Sequence, residues 1–124
     1  MSTILIVEDN EKNMKLARDV LQAKGYQTLE AITGEEGVRL AKEKLPDLVL
    51  MDIQLPGING IEAFRQLRAD PKTARIPVIA LTASVTPTDR SAITAAGFDA
   101  FVGKPISLKE FIDTVKRLAE GGKK

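Results

Sequence analysis

Short apolar runs and longer segments of helical spacing alternate five times along the chain. The apolar runs fall near residues 3–8, 27–32, 47–52, 77–82 and 99–103, each of strand length. In the first helical segment Met14, Ala17, Val20 and Leu21 recur on one face, and Gly25 supplies a stop. The third carries Ile58, Ile61, Phe64 and Leu67 and is closed by Asp70-Pro71. The last shows a stripe of Leu108, Phe111, Ile112, Val115 and Leu118. Helix starts are marked by the capping-box pairs Thr33/Glu36 and Ser107/Glu110, and by Thr86 before Pro87. The fourth helix, near 87–96, offers only Ile93 as a large apolar side chain, so it is expected to dock loosely and is a candidate for movement. Strands alternating with helices predict an α/β fold, a doubly wound (βα)5 sandwich with a parallel sheet between two helical layers.

The strand ends carry the chemistry. Glu8 and Asp9 follow Ile4-Leu5-Ile6-Val7, and Asp52 closes one of the most apolar runs, Leu48-Val49-Leu50-Met51. Thr82 follows Val78-Ile79-Ala80-Leu81, and Lys104 follows Phe101-Val102-Gly103. In an open parallel sheet, ligands bind beyond the carboxyl ends of the strands. Two acids, a third acid, a hydroxyl and an amine therefore converge on one site.

Composition narrows what that site can do. The 124 residues suit one core, and 44% apolar with 28% charged residues argues against disorder. A formal net charge of +1 supplies no field for nucleic acid or anionic lipid. With no cysteine and no histidine, thiolate chemistry, His-based triads and nitrogen or sulfur metal ligands are all excluded. Any metal must be held by oxygen. No apolar run reaches a membrane span and no basic, apolar leader opens the chain, so a cytoplasmic protein is expected. Gly121-Gly122-Lys123-Lys124 reads as a flexible tail beyond a single domain over 1–120, with no output domain.

Three carboxylates at about 4 Å repel by roughly 4 kcal/mol per pair at an effective dielectric near 20. Such a cluster holds a proton or a cation, and an all-oxygen set of Glu8, Asp9 and Asp52 favours Mg2+. The ion prepares Asp52 to attack a phosphoryl group, with Lys104 and the Thr82 hydroxyl as donors on the far side and the small Ala83 leaving access. Each residue also has a plainer role. Asp9 or Asn10 can cap the first helix, a lone Lys104-Pro105 or Thr82 carries little alone, and Phe101 can be an ordinary half-buried aromatic. Their order, one after another at the end of each successive strand except the second, is what separates the two readings.

Ile4-Leu5-Ile6-Val7-Glu8-Asp9-Asn10, Met51-Asp52-Ile53-Gln54-Leu55-Pro56-Gly57, Leu81-Thr82-Ala83 and Gly103-Lys104-Pro105-Ile106 together resemble the receiver domain of two-component response regulators. The resemblance runs from about residue 3 to 120. Asn10-Glu11-Lys12-Asn13-Met14-Lys15-Leu16 and Lys104-Pro105-Ile106-Ser107 look most like stand-alone DivK-type regulators of cell division and polarity. The resemblance implies the flavodoxin-like strand order 2-1-3-4-5. It also implies that Asp52 accepts a phosphoryl group from a phosphohistidine of a sensor histidine kinase or histidine phosphotransfer protein. Asp9, Asp52 and the Gln54 carbonyl would hold Mg2+, Glu8 would act mainly through water, Thr82 and Phe101 would form a switch pair, and Lys104 would hold the phosphate. Output would be a changed surface for a downstream protein, with no direct nucleic-acid or membrane partner and no enzymatic turnover of a separate substrate. Glu8 where Asp is frequent, and Phe101 without a tyrosine hydroxyl, depart from the commonest pattern.

Other classes fit less well. A phosphatase of the haloacid-dehalogenase type resembles this chain in its strand-end nucleophile, but Gln54 stands where such enzymes carry a second acid. A flavodoxin-like cofactor binder needs a phosphate loop where Glu8-Asp9 would repel phosphate. A scaffold without phosphorylation leaves the filled site unexplained. A phosphorelay intermediate passing the group onward to a histidine phosphotransfer protein uses the same residues and stays open.

Overall fold

The computed structural model describes residues 2–55, 57–82, 87–103 and 108–120. Its elements alternate throughout: β1 (Thr3–Val7), α1 (Glu11–Ala23), β2 (Gln27–Ala31), α2 (Gly34–Lys44), β3 (Leu48–Asp52), α3 (Gly60–Ala69), β4 (Val78–Thr82), α4 (Pro87–Ala96), β5 (Ala100–Gly103) and α5 (Leu108–Glu120). All pairings are parallel, in the order β2-β1-β3-β4-β5 expected of the flavodoxin-like class.

Side-chain alternation divides the core in two. Ile4, Ile6, Leu48, Leu50, Ile79, Leu81 and Val102 point to one face, covered by Met14, Ala17 and Leu21 of α1 and Phe111, Val115 and Ala119 of α5. Leu5, Val7, Val49, Met51 and Val78 point to the other, covered by α2 and by Ala63, Phe64 and Leu67 of α3. β1, β3 and β4 are therefore apolar at nearly every position, as strands buried on both faces must be. On α4, Ile93 is the one fully buried side chain among its described residues, with Ala96 at the edge of the second cluster. That agrees with the sparse apolar content read from the sequence.

Local signals set the boundaries. Asn10, Thr33 and Asn59 cap α1, α2 and α3, accepting from Asn13, Glu36 and Glu62 N–H at 3.1, 3.1 and 2.9 Å. Glu36 also accepts the Ile32 N–H at 3.1 Å, so the side chains of Thr33 and Glu36 together satisfy amides at the start of α2. One expectation shifts: Ile58, placed on the third helical face, precedes α3, because Asn59 captures the first free amides and starts the helix at Gly60. The Thr86-Pro87 and Ser107/Glu110 caps involve Thr86 and Ser107, which lie outside the described residues, as does the tail over 121–124.

Candidate acidic site at the strand ends

In the order 2-1-3-4-5 the chain moves outward from β1 to β2 and then returns to β3 on β1's other side. This reversal leaves a crevice beyond the carboxyl ends of β1 and β3. Glu8 and Asp9 leave β1 there, and Asp52 is the last residue of β3. Glu8 continues the alternation of Ile4 and Ile6, and Asp52 that of Leu48 and Leu50, so both carboxylates rise from the face covered by α1 and α5. One carboxylate oxygen from each of Glu8, Asp9 and Asp52 lies within 4.8 Å of the others. Glu8 is 1% and Asp52 3% exposed, whereas Asp9 faces solvent. Because Asn10 is the α1 cap, Asp9 is not needed for that role.

The backbone orients these acids. Glu8 Oε2 accepts the Asn10 N–H at 3.0 Å, and Asp52 Oδ1 accepts the Gln54 N–H at 3.0 Å. Beyond the strands, the Ile53 N–H donates to Leu81 O and the Gly60 N–H to Ile53 O, both at 3.0 Å. Gly60 lies so close to the end of β3 that a Cβ there would sit 2.2 Å from Asp52 O and 2.8 Å from Ile53 Cα. Only glycine permits this approach, which folds the loop after Asp52 back onto the site.

A cavity of about 430 Å3 opens beside Glu8 and Asp9, between α1 and the end of β2. The cations along it are engaged with acids: Arg18 with Glu30 at 3.1 Å, and Lys15 with Asp19 at 2.8 Å. The hydrogen bond from Arg18 to Glu30 holds the guanidinium pKa above its ordinary value, and the Lys15 hydrogen bond holds Asp19 below its own.

Thr82 and Phe101 occupy the other face of the sheet. Phe101 is in register with Ala80, and Thr82, two residues beyond Ala80, is in register with Gly103. Their neighbours Leu81, Ala100 and Val102 all pack into the α1/α5 cluster, so Thr82 and Phe101 point toward the α2/α3/α4 layer. Thr82 is 3% exposed, and Phe101 is half-buried. Gln54 is exposed and touches the site through its backbone. Ala83 and Lys104 lie outside the described residues, as do Pro56 and Pro105.

Two features went unread in the sequence. Gly60 is one of nine glycines and nothing local marks its contact with the Asp52 carbonyl. Arg68 and Asp99 form a junction at the opposite end of β4 and β5, and neither stands in a motif. The Asn59 cap is absent from the helix starts expected above too, although its three-residue spacing to Glu62 is a signal that marks it.

The donor set suits a hard cation. Three carboxylates converge, and the chain has no histidine or cysteine to favour a softer metal. A buried carboxylate flanked by two others can serve as a nucleophile toward a group that arrives with a neutralising charge.

Residues 4–116 match the response regulator receiver domain family. The polar-differentiation response regulator DivK of Brucella ovis is 47% identical over 114 residues, covering 92% of this chain and 93% of that protein. Among solved structures, the receiver domain of a sensor histidine kinase from Pseudomonas aeruginosa superposes with a TM-score of 0.89 at 34% identity, covering 95% of this chain and 97% of that one. That structure has a magnesium ion coordinated in its active-site cleft. The signal receiver domain of a histidine kinase from Syntrophus aciditrophicus gives a TM-score of 0.90 at 35% identity, covering 98% and 92% of the two chains. With its strand order, its acidic crevice and these matches taken together, the chain belongs to the response regulator receiver domain family.

Proposed function

We propose that the chain is a phosphoacceptor in a two-component phosphorelay, taking a phosphoryl group on Asp52 from a phosphohistidine of a sensor histidine kinase or histidine phosphotransfer protein. The observation that carries this reading is the meeting of Glu8, Asp9 and Asp52 within 4.8 Å at the sheet's reversal point. Asp9 and Asp52, with the Gln54 carbonyl, would hold Mg2+, and Glu8 would support it from its buried position. When bound, the ion neutralises the carboxylates and the incoming phosphoryl oxygens. Asp52 attacks phosphorus through the carboxylate oxygen not tied to the Gln54 amide, the phosphorus–nitrogen bond to the donor histidine breaks, and the imidazole leaves with its electron pair. Lys104 would contribute a point charge to the phosphoryl oxygens and Ala83 an unobstructed approach. In this role the protein is a substrate of phosphotransfer rather than an enzyme acting on a separate molecule.

Signal output follows from the opposite face. The phosphoryl group, carrying about −1.5 to −2 of charge where the free carboxylate carried −1, draws the Thr82 hydroxyl around the end of β4 toward the new oxygens. Phe101 follows into the space on its side of the sheet, and α4, with few buried side chains among its described residues, changes the surface offered to a downstream protein. Transfer from a purified, autophosphorylated histidine kinase to the parent but not to Asp52→Asn is the expected result. Label retained by the Asp52→Asn variant would defeat the assignment. Rapid return of the group to a histidine phosphotransfer protein would favour the relay role over an allosteric one.

A further inference from the structure

The shortest strand carries the switch aromatic, and its pairing is secured by something other than its own pattern. β5 spans Ala100–Gly103, pairs with β4 at the edge of the sheet, and buries only Val102 completely. Register is well specified where a strand has a long buried face, and a slip of one residue turns every side chain to the other side. Four residues with one buried side chain specify it weakly. Such a slip would turn Phe101 away from the face that Thr82 shares.

Immediately before β5, Asp99 makes a two-point contact with the first residue of β4. The Asp99 N–H donates to Val78 O at 3.0 Å, and the Val78 N–H donates back to Asp99 Oδ2 at 2.8 Å. The carboxylate thus stands in for a strand carbonyl as the acceptor of the Val78 amide. Arg68, from the last turn of α3, fixes the same oxygen: Nη2 donates to Asp99 Oδ2 at 2.8 Å while Nη1 donates to Ile76 O at 2.7 Å. The guanidinium lies over the Phe64 ring at 4.5 Å, and Phe64 stacks on Phe98 at 4.1 Å between centroids. An arginine held by two oxygens and an aromatic face is preorganised. One group therefore joins α3, the entry to β4 and the entry to β5.

We infer that Asp99, held by Arg68, is a positioning residue that locks the register of β5 and so places Phe101 on the face of Thr82. This rests on the proposed switch role of that pair. Phe101 lies two residues along the strand from Asp99, in register with Ala80, so the lock acts within one strand repeat of the residue it places.

The test is backbone amide hydrogen exchange by NMR, strand by strand, on the parent, Asp99→Ala, Asp99→Asn and Arg68→Gln. It is paired with the change at Phe101 on adding acetyl phosphate and magnesium. In Asp99→Ala the β5 amides are expected to exchange at least about tenfold faster relative to β1 and β3, the scale of one hydrogen bond to a charged acceptor. The phosphorylation-dependent change at Phe101 should shrink with it. Asp99→Asn, which keeps an oxygen for the Val78 N–H, should restore most of both, and Arg68→Gln should fall between. β5 exchange equal to the parent's in Asp99→Ala and Arg68→Gln would overturn the inference, as would an equal acceleration in every strand. If Phe101 in the parent does not respond to phosphorylation, the switch reading fails, while the exchange data still decide the lock.

Discussion

Replacing Asp52 by asparagine should stabilise the metal-free protein, although it removes the residue on which function depends. The side chain keeps its shape, and the amide oxygen that replaces Asp52 Oδ1 can still accept the Gln54 N–H bonded at 3.0 Å in the parent. What disappears is a negative charge whose oxygen lies within 4.8 Å of oxygens of Glu8 and Asp9. At that separation and an effective dielectric near 20, each pair repels by ~3.5 kcal/mol. Asp9 faces solvent, so its share is strongly screened, and Glu8 and Asp52 relax where they can. A net gain of about 1–2 kcal/mol is expected, equivalent to roughly 4–8 °C in Tm for a chain of 124 residues. The assay is thermal and urea unfolding in chelator, repeated across a magnesium titration. Magnesium at about ten times its Kd should stabilise the parent by ~1.4 kcal/mol. Asp52→Asn, having lost a ligand, should respond only at much higher concentration, so the two stabilities converge as magnesium rises. An Asp52→Asn protein no more stable than the parent in chelator, with the same magnesium response, would refute the view that these acids form a mutually repelling cation site.

Other perturbations have equally definite outcomes. Gly60→Ala would force a methyl to 2.2 Å from the Asp52 carbonyl oxygen, a backbone atom with nowhere to retreat. It should lose about 1–3 kcal/mol in urea unfolding, the usual range for overpacking, and should weaken magnesium binding; unchanged values in both would show that the close approach is unimportant. Leu45 closes α2 at φ 49 with its side chain 51% exposed, a conformation and exposure that suit glycine better. Leu45→Gly should therefore be neutral or up to about 1 kcal/mol more stable, and a clear loss would contradict that reading of the turn. Thr82→Ala should still accept phosphate on Asp52 but lose the phosphorylation-dependent gain in affinity for a downstream partner. Titration of the phosphorylated variant against that partner checks this, and affinity equal to the phosphorylated parent's would break the proposed coupling.

What the sequence disclosed follows from what it repeats. Buried strands announce themselves by unbroken apolar runs, so Leu48–Asp52 and Val78–Thr82 were legible to within a residue. The three acids were legible because a charge at the end of such a run has few structural reasons to be there. Contacts between residues distant in sequence left no local trace. Arg68 and Asp99 are 31 positions apart and meet only because α3 and β5 flank β4. Gly60 looks like any glycine near a helix start until the loop after Asp52 is folded against it. Ile58 fitted the helical spacing, and only the capping of α3 by Asn59 places it outside the helix.

Phosphorylation at Asp52 is the claim on which the rest depends, and intact mass after incubation with acetyl phosphate tests it most directly. The parent should gain a single phosphoryl group only when magnesium is present, and Asp52→Asn should gain none. An adduct that persists in Asp52→Asn or forms equally well in chelator would contradict the account, as would no adduct from either acetyl phosphate or a phosphorylated kinase on folded parent protein.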